Sequence, residues 1–173
     1  MIYLINKNKE YKKIVKDILR NTEFKKLYNI EHHGISRMEH SIKVSYYSYI
    51  IAKKLGMDYI SVARGGLLHD FFLNGDERNS KEKFIDTFRH PKLALNTTKT
   101  IFKVNKLEED IIVSHMFPFY ISCPRHKESI LVNLVDKIIG FKELVRGFYC
   151  KLSYKLKYTY VLMLIICSNY RYA

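Results

Sequence analysis

The 173-residue sequence contains few of the residues that build turn-rich or cross-linked folds: 7 Gly, 3 Pro, 3 Cys and no Trp. The shortage of Gly and Pro argues against an all-β sandwich, which needs many tight turns, and it favours helices. The three cysteines, Cys123, Cys150 and Cys167, are far apart and form no C-x-x-C pair. Such a set argues against a disulfide framework or a zinc ribbon and fits a reducing cytoplasm, where we expect the protein to reside.

Long apolar runs are also absent. The longest run, residues 160–167, is too short to span a membrane, and we expect no membrane partner. Lysines follow residues 1–5 at once, which argues against a signal peptide. With 47% hydrophobic and 27% charged residues, the composition fits a single globular domain over residues 1–173 that buries its own core.

Basic residues outnumber acidic ones by 30 to 17, which gives a formal net charge of +13. The excess is concentrated at the two ends: residues 1–33 contain eight basic and four acidic residues, and residues 142–173 contain six and one. One interpretation of this charge is a solvated basic surface. The alternative is that the surface attracts an anion such as a nucleotide, a nucleic acid or a membrane. Because no recognised nucleic-acid motif appears, binding to nucleic acid is possible but not favoured.

Hydrophobic periodicity predicts a series of amphipathic helices and therefore an all-α fold. The predicted helices cover residues 8–20, 36–55, 59–71, 91–102, a segment that follows the cap residue Asn105, and 127–145. Pro91 is expected at the first position of its helix, and residues 73–89 are expected to form a polar loop or a short helix. In the last helix the residues expected to face the core are Ile130, Leu131, Leu134, Val135 and Ile138.

Capping residues mark the ends of two central helices. Ser36 and Glu39 have the spacing of a capping box, and Gly56 is a plausible stop for the helix that they begin. Asp58 is a candidate cap for the next helix, which contains two consecutive glycines, Gly65 and Gly66. Each glycine inside a helix costs about 1 kcal/mol relative to alanine, and close approach of another helix would explain the doublet.

The region after Cys150 has a different pattern. Apolar and polar residues alternate with a period of two up to residue 160, which is typical of a strand, and the apolar stretch that follows has no period. For residues 150–173 a helix, an edge strand and disorder therefore all remain open, outside a core of about residues 32–147.

The central segment, residues 67–71, places His69 and Asp70 side by side between apolar residues. An unpaired buried carboxylate costs several kcal/mol, so this doublet needs a partner, and a metal ion is a good one. The chain offers four more groups of ligand type: His40, His90, His115 and Asp136. Each alone has an ordinary explanation as a core or surface histidine, a helix cap or an ion-pair partner. As an ordered set on separate predicted helices, however, they fit the way helical bundles build metal sites from inward side chains.

The segments around these residues read RMEHSIKVSYYS, ARGGLLHDFF, FRHPKLAL, EEDIIVSHMFPF and ILVNLVDKIIGF. In this order and at these intervals they resemble the HD-domain superfamily of metal-dependent phosphohydrolases, over about residues 32–147, and in detail they are most similar to small bacterial HD-domain proteins. The resemblance implies an all-α, HD-domain-like helical bundle with a metal site between its helices.

The resemblance also implies which residues bind metal. One ion would be held by His40, His69, Asp70 and Asp136. His90 and His115 match positions that hold a second ion in binuclear members such as HD-GYP proteins, with Asp70 as the bridging carboxylate. HD-GYP proteins have two adjacent histidines where this chain has His115 and Met116, and the GYP signature is absent, so cyclic dinucleotide hydrolysis is left unsupported. Mixed imidazole and carboxylate ligation suits Mn, Fe, Zn or Ni, as one or two divalent ions, better than Ca or Mg.

The expected function is hydrolysis of a phosphate ester, a nucleotide or a related small phosphate, by a metal-activated water. Asp70 and Arg37 are the expected catalytic residues, and Arg37 shares the first turn of its predicted helix with His40. The alternative is a non-catalytic HD module that binds metal and senses a nucleotide or a partner.

Phosphate contacts need cations near the site. The candidates that lie close to the ligands in sequence are Arg37, Arg89, Lys92 and Lys137. Arg125 and Lys127 lie across the link at Pro124, and each of these basic residues could also be solvated surface charge. In the loop after the His–Asp doublet, Asp76 and Glu77 could supply a proton to the leaving group.

Overall fold

The computed structural model describes residues 5, 8–32, 34–73 and 80–170, and these are almost entirely helical. From residue 8 onwards the chain forms three short helices and a 3₁₀ helix: α1 (Lys9–Ile14), α2 (Lys16–Arg20), α3 (Thr22–Lys25) and the 3₁₀ helix Lys26–Asn29. A small antiparallel ribbon follows, made of β1 (Glu31–His32) and β2 (Ile35–Ser36). The five main helices are α4 (Arg37–Lys54), α5 (Tyr59–Leu68), α6 (Ser80–Ile101), α7 (Lys106–Ser114) and α8 (Lys127–Tyr170). The all-α prediction is therefore confirmed, and the described part of the chain has no helix with the length and apolarity needed to cross a membrane.

The predicted caps position the helices that carry the candidate ligands. Ser36 Oγ accepts a hydrogen bond from the Glu39 amide at 3.1 Å, whereas the Glu39 carboxylate pairs with Lys43 instead of completing the box. Asp58 caps α5 by accepting from the backbone amide three residues on, at 3.0 Å. Gly56, which follows α4, has a φ of +64°, a left-handed conformation that few other residues adopt easily. The sequence-predicted start of α4 and the stop that follows it are thus both present.

The two consecutive glycines of α5 face two different helices. A Cβ atom on Gly66 would lie 3.2 Å from the Cα atom of Ser45 in α4, and one on Gly65 would lie 3.0 Å from the Ile111 side chain in α7. Real Cβ contacts are seldom so short, so the backbone of α5 lies too close to both neighbours for a larger residue. The predicted close helix approach is confirmed, and it makes α5 the central helix of the bundle.

Several predicted helix boundaries were wrong. The first helix is interrupted at Val15, and α5 ends at Leu68 instead of near residue 71. Helix α6 begins at Ser80, so Pro91 lies inside the helix and not in its first turn. The apolar residues at positions 84, 85 and 88 continue the helical spacing in front of the proline, which explains the earlier start. Residues 74–79 lie outside the described residues.

Helix α8 is longer and less buried than predicted. It continues to Tyr170, so the described part of the C-terminal tail is helical. Leu131 and Val135 are partly and fully buried as expected, but Ile130, Leu134 and Ile138 are 46–56% exposed, which contradicts their predicted place in the core. The reason is that α8 has apolar residues on more than one side, and only one of those sides packs against the bundle.

Candidate metal centre

The two helix-terminal histidines of the centre are held in the same way. His69 directly follows α5 and His115 directly follows α7, each with a right-handed helical backbone. Nδ1 of His69 donates to the Gly66 carbonyl at 2.8 Å, and Nδ1 of His115 donates to the Ile112 carbonyl at 2.7 Å. With the proton fixed on Nδ1, the neutral ring directs the lone pair of Nε2 into the protein interior, which is the tautomer that a metal ligand needs.

His40 approaches the same region from the first turns of α4. Its Nε2 atom lies 2.9 Å from Asp136 Oδ1, and its Nδ1 atom lies 2.8 Å from Glu143 Oε2, both in α8. Nε2 of His69 is 3.5 Å from the same oxygen of Asp136. His40, His69 and Asp136 therefore present three ligand atoms to one small volume.

The second group of ligand atoms surrounds Asp70. Its Oδ1 atom is 3.3 Å from Nε2 of His90 and 3.5 Å from Nε2 of His115, and the two histidine nitrogens are 2.9 Å apart. Ligands at about 2.1 Å from one ion are separated by roughly 3.0 Å in octahedral and 3.4 Å in tetrahedral geometry. The separations in both groups fall close to these values, so each group fits a shared cation. The ring of Phe72 stacks on His90 and encloses this side.

Burial makes these contacts costly without a cation. His40, His69 and His115 are at most 1% exposed, and Asp70 is 4% exposed. Within the described ranges, neither Nε2 of His69 nor Oδ1 of Asp70 forms a hydrogen bond. A buried polar atom left without a partner costs about 1–3 kcal/mol, and more when it is charged. Two such atoms aimed into a cluster of imidazoles and carboxylates are what a metal site requires, so the residues present fit a divalent ion.

The pKa values of the cluster show how strongly it attracts positive charge. Burial lowers the pKa of His40, but its hydrogen bonds to Asp136 and Glu143 raise the pKa to about 10. Burial raises the pKa of Asp70, but the charge of His69 and the two other histidines hold that pKa well below its ordinary value. The pKa of Asp136 is likewise lowered by its histidine partners despite burial. The carboxylates therefore stay ionised, and the proton on His40 occupies the place that a metal would take.

Two of the predicted phosphate-binding residues lie at the cluster. Arg37 is buried, donates from Nη1 to the Phe72 carbonyl at 2.8 Å and places its guanidinium 3.9 Å from the centre of the Phe72 ring. Its Nε atom has no hydrogen-bond partner among the described residues. Lys137 donates to the His115 carbonyl at 3.2 Å and to Asn133 at 2.8 Å, so it is engaged in holding the end of α7.

The other predicted cations are on the surface. The exposed ones are Arg89, Lys92, Arg125 and Lys127, and the first two flank His90 along α6. Asp76 and Glu77, the predicted proton donors, lie outside the described residues. The structure thus brings all six predicted metal ligands together and one unengaged guanidinium nitrogen close to them.

Glu143 also belongs to the centre, although it was not predicted from the sequence. It is 6% exposed and accepts at Oε2 from Nδ1 of His40, while its Oε1 atom pairs with Lys43 at 3.1 Å. A carboxylate behind a ligating histidine fixes the tautomer and raises the basicity of the ring. The available signal was its position seven residues after Asp136, because residues two turns apart lie on the same face of a helix.

Comparison with known proteins gives one match. The family model described as HD domain matches residues 37–139, which is more than half of the chain and contains all six candidate ligands. No curated protein and no solved structure matches the chain.

Proposed function

This chain belongs to the HD-domain family, and on that premise we propose that it is a metal-dependent hydrolase of a nucleotide or a related small phosphate ester. The observation that supports this proposal is the buried cluster in which histidine Nε2 atoms and carboxylate oxygens converge while Nδ1 of His40, His69 and His115 is held by the protein. Within this cluster, Nε2 of His69 and Oδ1 of Asp70 have no hydrogen-bond partner among the described residues, and such buried polar atoms destabilise the fold unless a cation neutralises them.

In this proposal a first ion would be held by His40, His69, Asp70 and Asp136. A second ion would be held by Asp70, His90 and His115, so Asp70 belongs to both ligand sets. The donor set of imidazoles and carboxylates without thiolates suits Mn, Fe, Zn or Ni. When bound, such an ion supplies Lewis acidity and lowers the pKa of a water molecule to roughly 7.

The side chains around the ions have separate roles. Asp70 would serve as a ligand through Oδ1, which has no hydrogen-bond partner among the described residues, and its carboxylate would also orient the attacking water towards phosphorus. Arg37 is oriented by the carbonyl and the ring of Phe72, and its Nε–H, which has no partner among the described residues, would donate to a phosphoryl oxygen. On the solvent side, Arg89 and Lys92 flank His90 and attract further phosphate groups of a nucleotide.

Metal content and turnover measured on the same samples test the proposal. We would compare wild type with His69→Gln and Asp70→Asn, which keep side-chain size, and with His126→Gln, which replaces an exposed histidine outside the cluster. Substrates would include a generic phosphomonoester, a generic phosphodiester and common nucleotides, with added Mn. We expect the wild type and the His126 variant to bind metal and hydrolyse at least one substrate, and the two cluster variants to lose both properties.

The same experiment distinguishes the proposed hydrolase from the alternative, a non-catalytic module. Metal in the wild type without hydrolysis of any phosphoester would support a non-catalytic module that senses a nucleotide or a partner. Neither metal nor turnover in the wild type would refute a metal centre altogether. A fall from about two ions per chain to about one in His90→Gln and His115→Gln would assign the second ion to Asp70 and these two histidines.

A further inference from the structure

Helix α8 has two apolar faces on roughly opposite sides. One face packs into the bundle and carries Val132, Val135 and Ile139, all buried. The other, which we call the outer stripe, carries seven large side chains between 42% and 67% exposed: Ile130, Leu134, Ile138, Phe141, Leu144, Phe148 and Leu152. Successive members are three or four residues apart, so at 3.6 residues per turn they line up along one side of the helix.

The outer stripe is too large to be an ordinary solvent-exposed surface. It extends over about 33 Å of helix at 1.5 Å per residue. If a fully exposed large side chain presents roughly 200 Å², the seven together present roughly 800 Å². The largest apolar patch of a typical monomer is about 300–600 Å², and larger patches mark interaction sites. The stripe is therefore expected to be covered when the protein functions.

The charge around the stripe indicates what covers it. Exposed basic residues lie on several sides of α8: Lys155 is in line with the stripe, Lys142 is at its side, and Arg146 and Lys157 are towards the opposite side of the helix. The acidic residues of α8 are Glu128, Asp136 and Glu143, and none of them is exposed. The accessible surface of this helix is consequently apolar and basic without any exposed carboxylate, so its partner must be both apolar and anionic.

A second copy of the chain does not meet this requirement. Pairing two outer stripes would bring basic residues together, with no exposed acid of α8 to compensate them, in a chain whose net charge is already +13. Protein interfaces are in general depleted in lysine, whereas three of the four basic residues named above are lysines. Helices that lie in a membrane surface combine a basic polar face with Phe and Leu on the other, as α8 does. Tyrosine favours the membrane interface, and the exposed Tyr149 lies at the side of the stripe.

We propose that α8 docks through its outer stripe onto an anionic lipid surface. Because the buried face is roughly opposite the stripe, the bundle with its metal cluster then lies on the solvent side of the helix. The expectation of no membrane partner rested on the lack of a spanning segment, and docking onto the surface needs none. The proposal does not depend on phosphoester hydrolysis, and its failure would leave the proposed function unaffected.

Flotation of the full-length protein with lipid vesicles tests this proposal. Vesicles of phosphatidylcholine alone would be compared with vesicles that also contain phosphatidylglycerol, at low and at high salt. Phe148→Glu and Phe141→Glu place a charge in the stripe, and Ile121→Glu is the matched control because Ile121 is 95% exposed but lies outside α8. Since all three positions are exposed, thermal unfolding should be nearly unchanged in each variant.

We expect binding to the anionic vesicles only, weakened by salt and reduced at least about tenfold in the two stripe variants but not in the control. Wild-type protein that fails to float with anionic vesicles would refute the proposal, and so would equal binding by Phe148→Glu. Light scattering on the same samples tests whether a second copy of the chain covers the stripe instead. A stable dimer that Phe148→Glu dissociates would assign the stripe to that second copy and refute docking onto lipid.

Discussion

Glu143 gives the sharpest test of how the centre is built, because it touches a proposed ligand but no metal. We predict that Glu143→Gln weakens metal binding while leaving the fold intact. The glutamine has the same shape and can still reach Nδ1 of His40, which lies 2.8 Å from the carboxylate. What the variant loses is the negative charge that stabilises the correct tautomer of the ring and increases its basicity.

The size of the effect follows from the geometry. Glu143 lies about 7 Å from an ion on the far nitrogen of the imidazole, given a metal–nitrogen bond of about 2.1 Å. At an effective dielectric constant of about 20, a unit charge at that distance stabilises a divalent ion by up to about 5 kcal/mol. Lys43, 3.1 Å from the same carboxylate, offsets part of this. A loss of tenfold to a hundredfold in affinity, about 1.4–2.7 kcal/mol, is therefore expected.

The assay is competition for Mn or Zn against a chromogenic chelator at neutral pH. Glu39→Gln is the matched control, because it removes a partly exposed carboxylate that also pairs with Lys43. We expect the control to bind metal within about twofold of wild type, a small effect typical of surface pairs. Equal metal affinity in wild type and Glu143→Gln would refute the role that we assign to this residue.

Three further predictions concern packing, substrate binding and pH. Gly66→Ala should lower the free energy of unfolding by about 1–3 kcal/mol, because the new Cβ atom would press on Ser45. Gly140→Ala, which adds a Cβ atom in open space on α8, should leave the free energy of unfolding equal or up to about 1 kcal/mol higher. Chemical denaturation measures both variants, and equal effects would contradict the packing argument. Arg37→Lys should raise KM or lower kcat for the phosphoester without changing metal content, because lysine cannot match the planar guanidinium on the Phe72 ring; steady-state kinetics with wild-type values would exclude Arg37 from the site. The pKa of His40 is raised to about 10 in the metal-free protein, so its proton stabilises that form fully below about pH 6.5 and the contribution is lost as pH rises through about 10. Metal binding at neutral pH should therefore release a proton and tighten with increasing pH, which calorimetry in buffers of different ionisation enthalpy would detect, and binding without proton release would contradict it.

The candidate ligands could be predicted from the sequence because they form an ordered set on separate helices around one conspicuous doublet. The doublet of His69 and Asp70 is conspicuous in an apolar segment, and caps at Ser36 and Asp58 fix where the neighbouring helices begin. The one signal for Glu143, its position seven residues after Asp136, is weak, since a glutamate in a helix is usually a solvated charge. Only the packing of α4 against α8 places it behind a histidine more than a hundred residues earlier in the chain.

The outer stripe shows a second limit of sequence reasoning. Periodicity reveals that α8 is rich in apolar residues, but it cannot say which of two apolar faces packs against the bundle. Ile130, Leu134 and Ile138 were therefore placed in the core and are exposed. The alternation after Cys150 was equally ambiguous, because side chains such as Tyr154 and Tyr158 are largely exposed, and exposed positions impose no helical pattern on the sequence.

The central claim is that one buried cluster of histidines and carboxylates binds a divalent metal ion. X-ray absorption spectroscopy of the metal-loaded, full-length protein tests it most directly, because it reports the ligand atoms themselves. We predict a shell of imidazole nitrogen and carboxylate oxygen at about 2.0–2.2 Å without sulfur, which weakens in His69→Gln and is retained in His126→Gln. A shell made of water alone, or one with sulfur from the cysteines, would contradict the account and place the ion elsewhere.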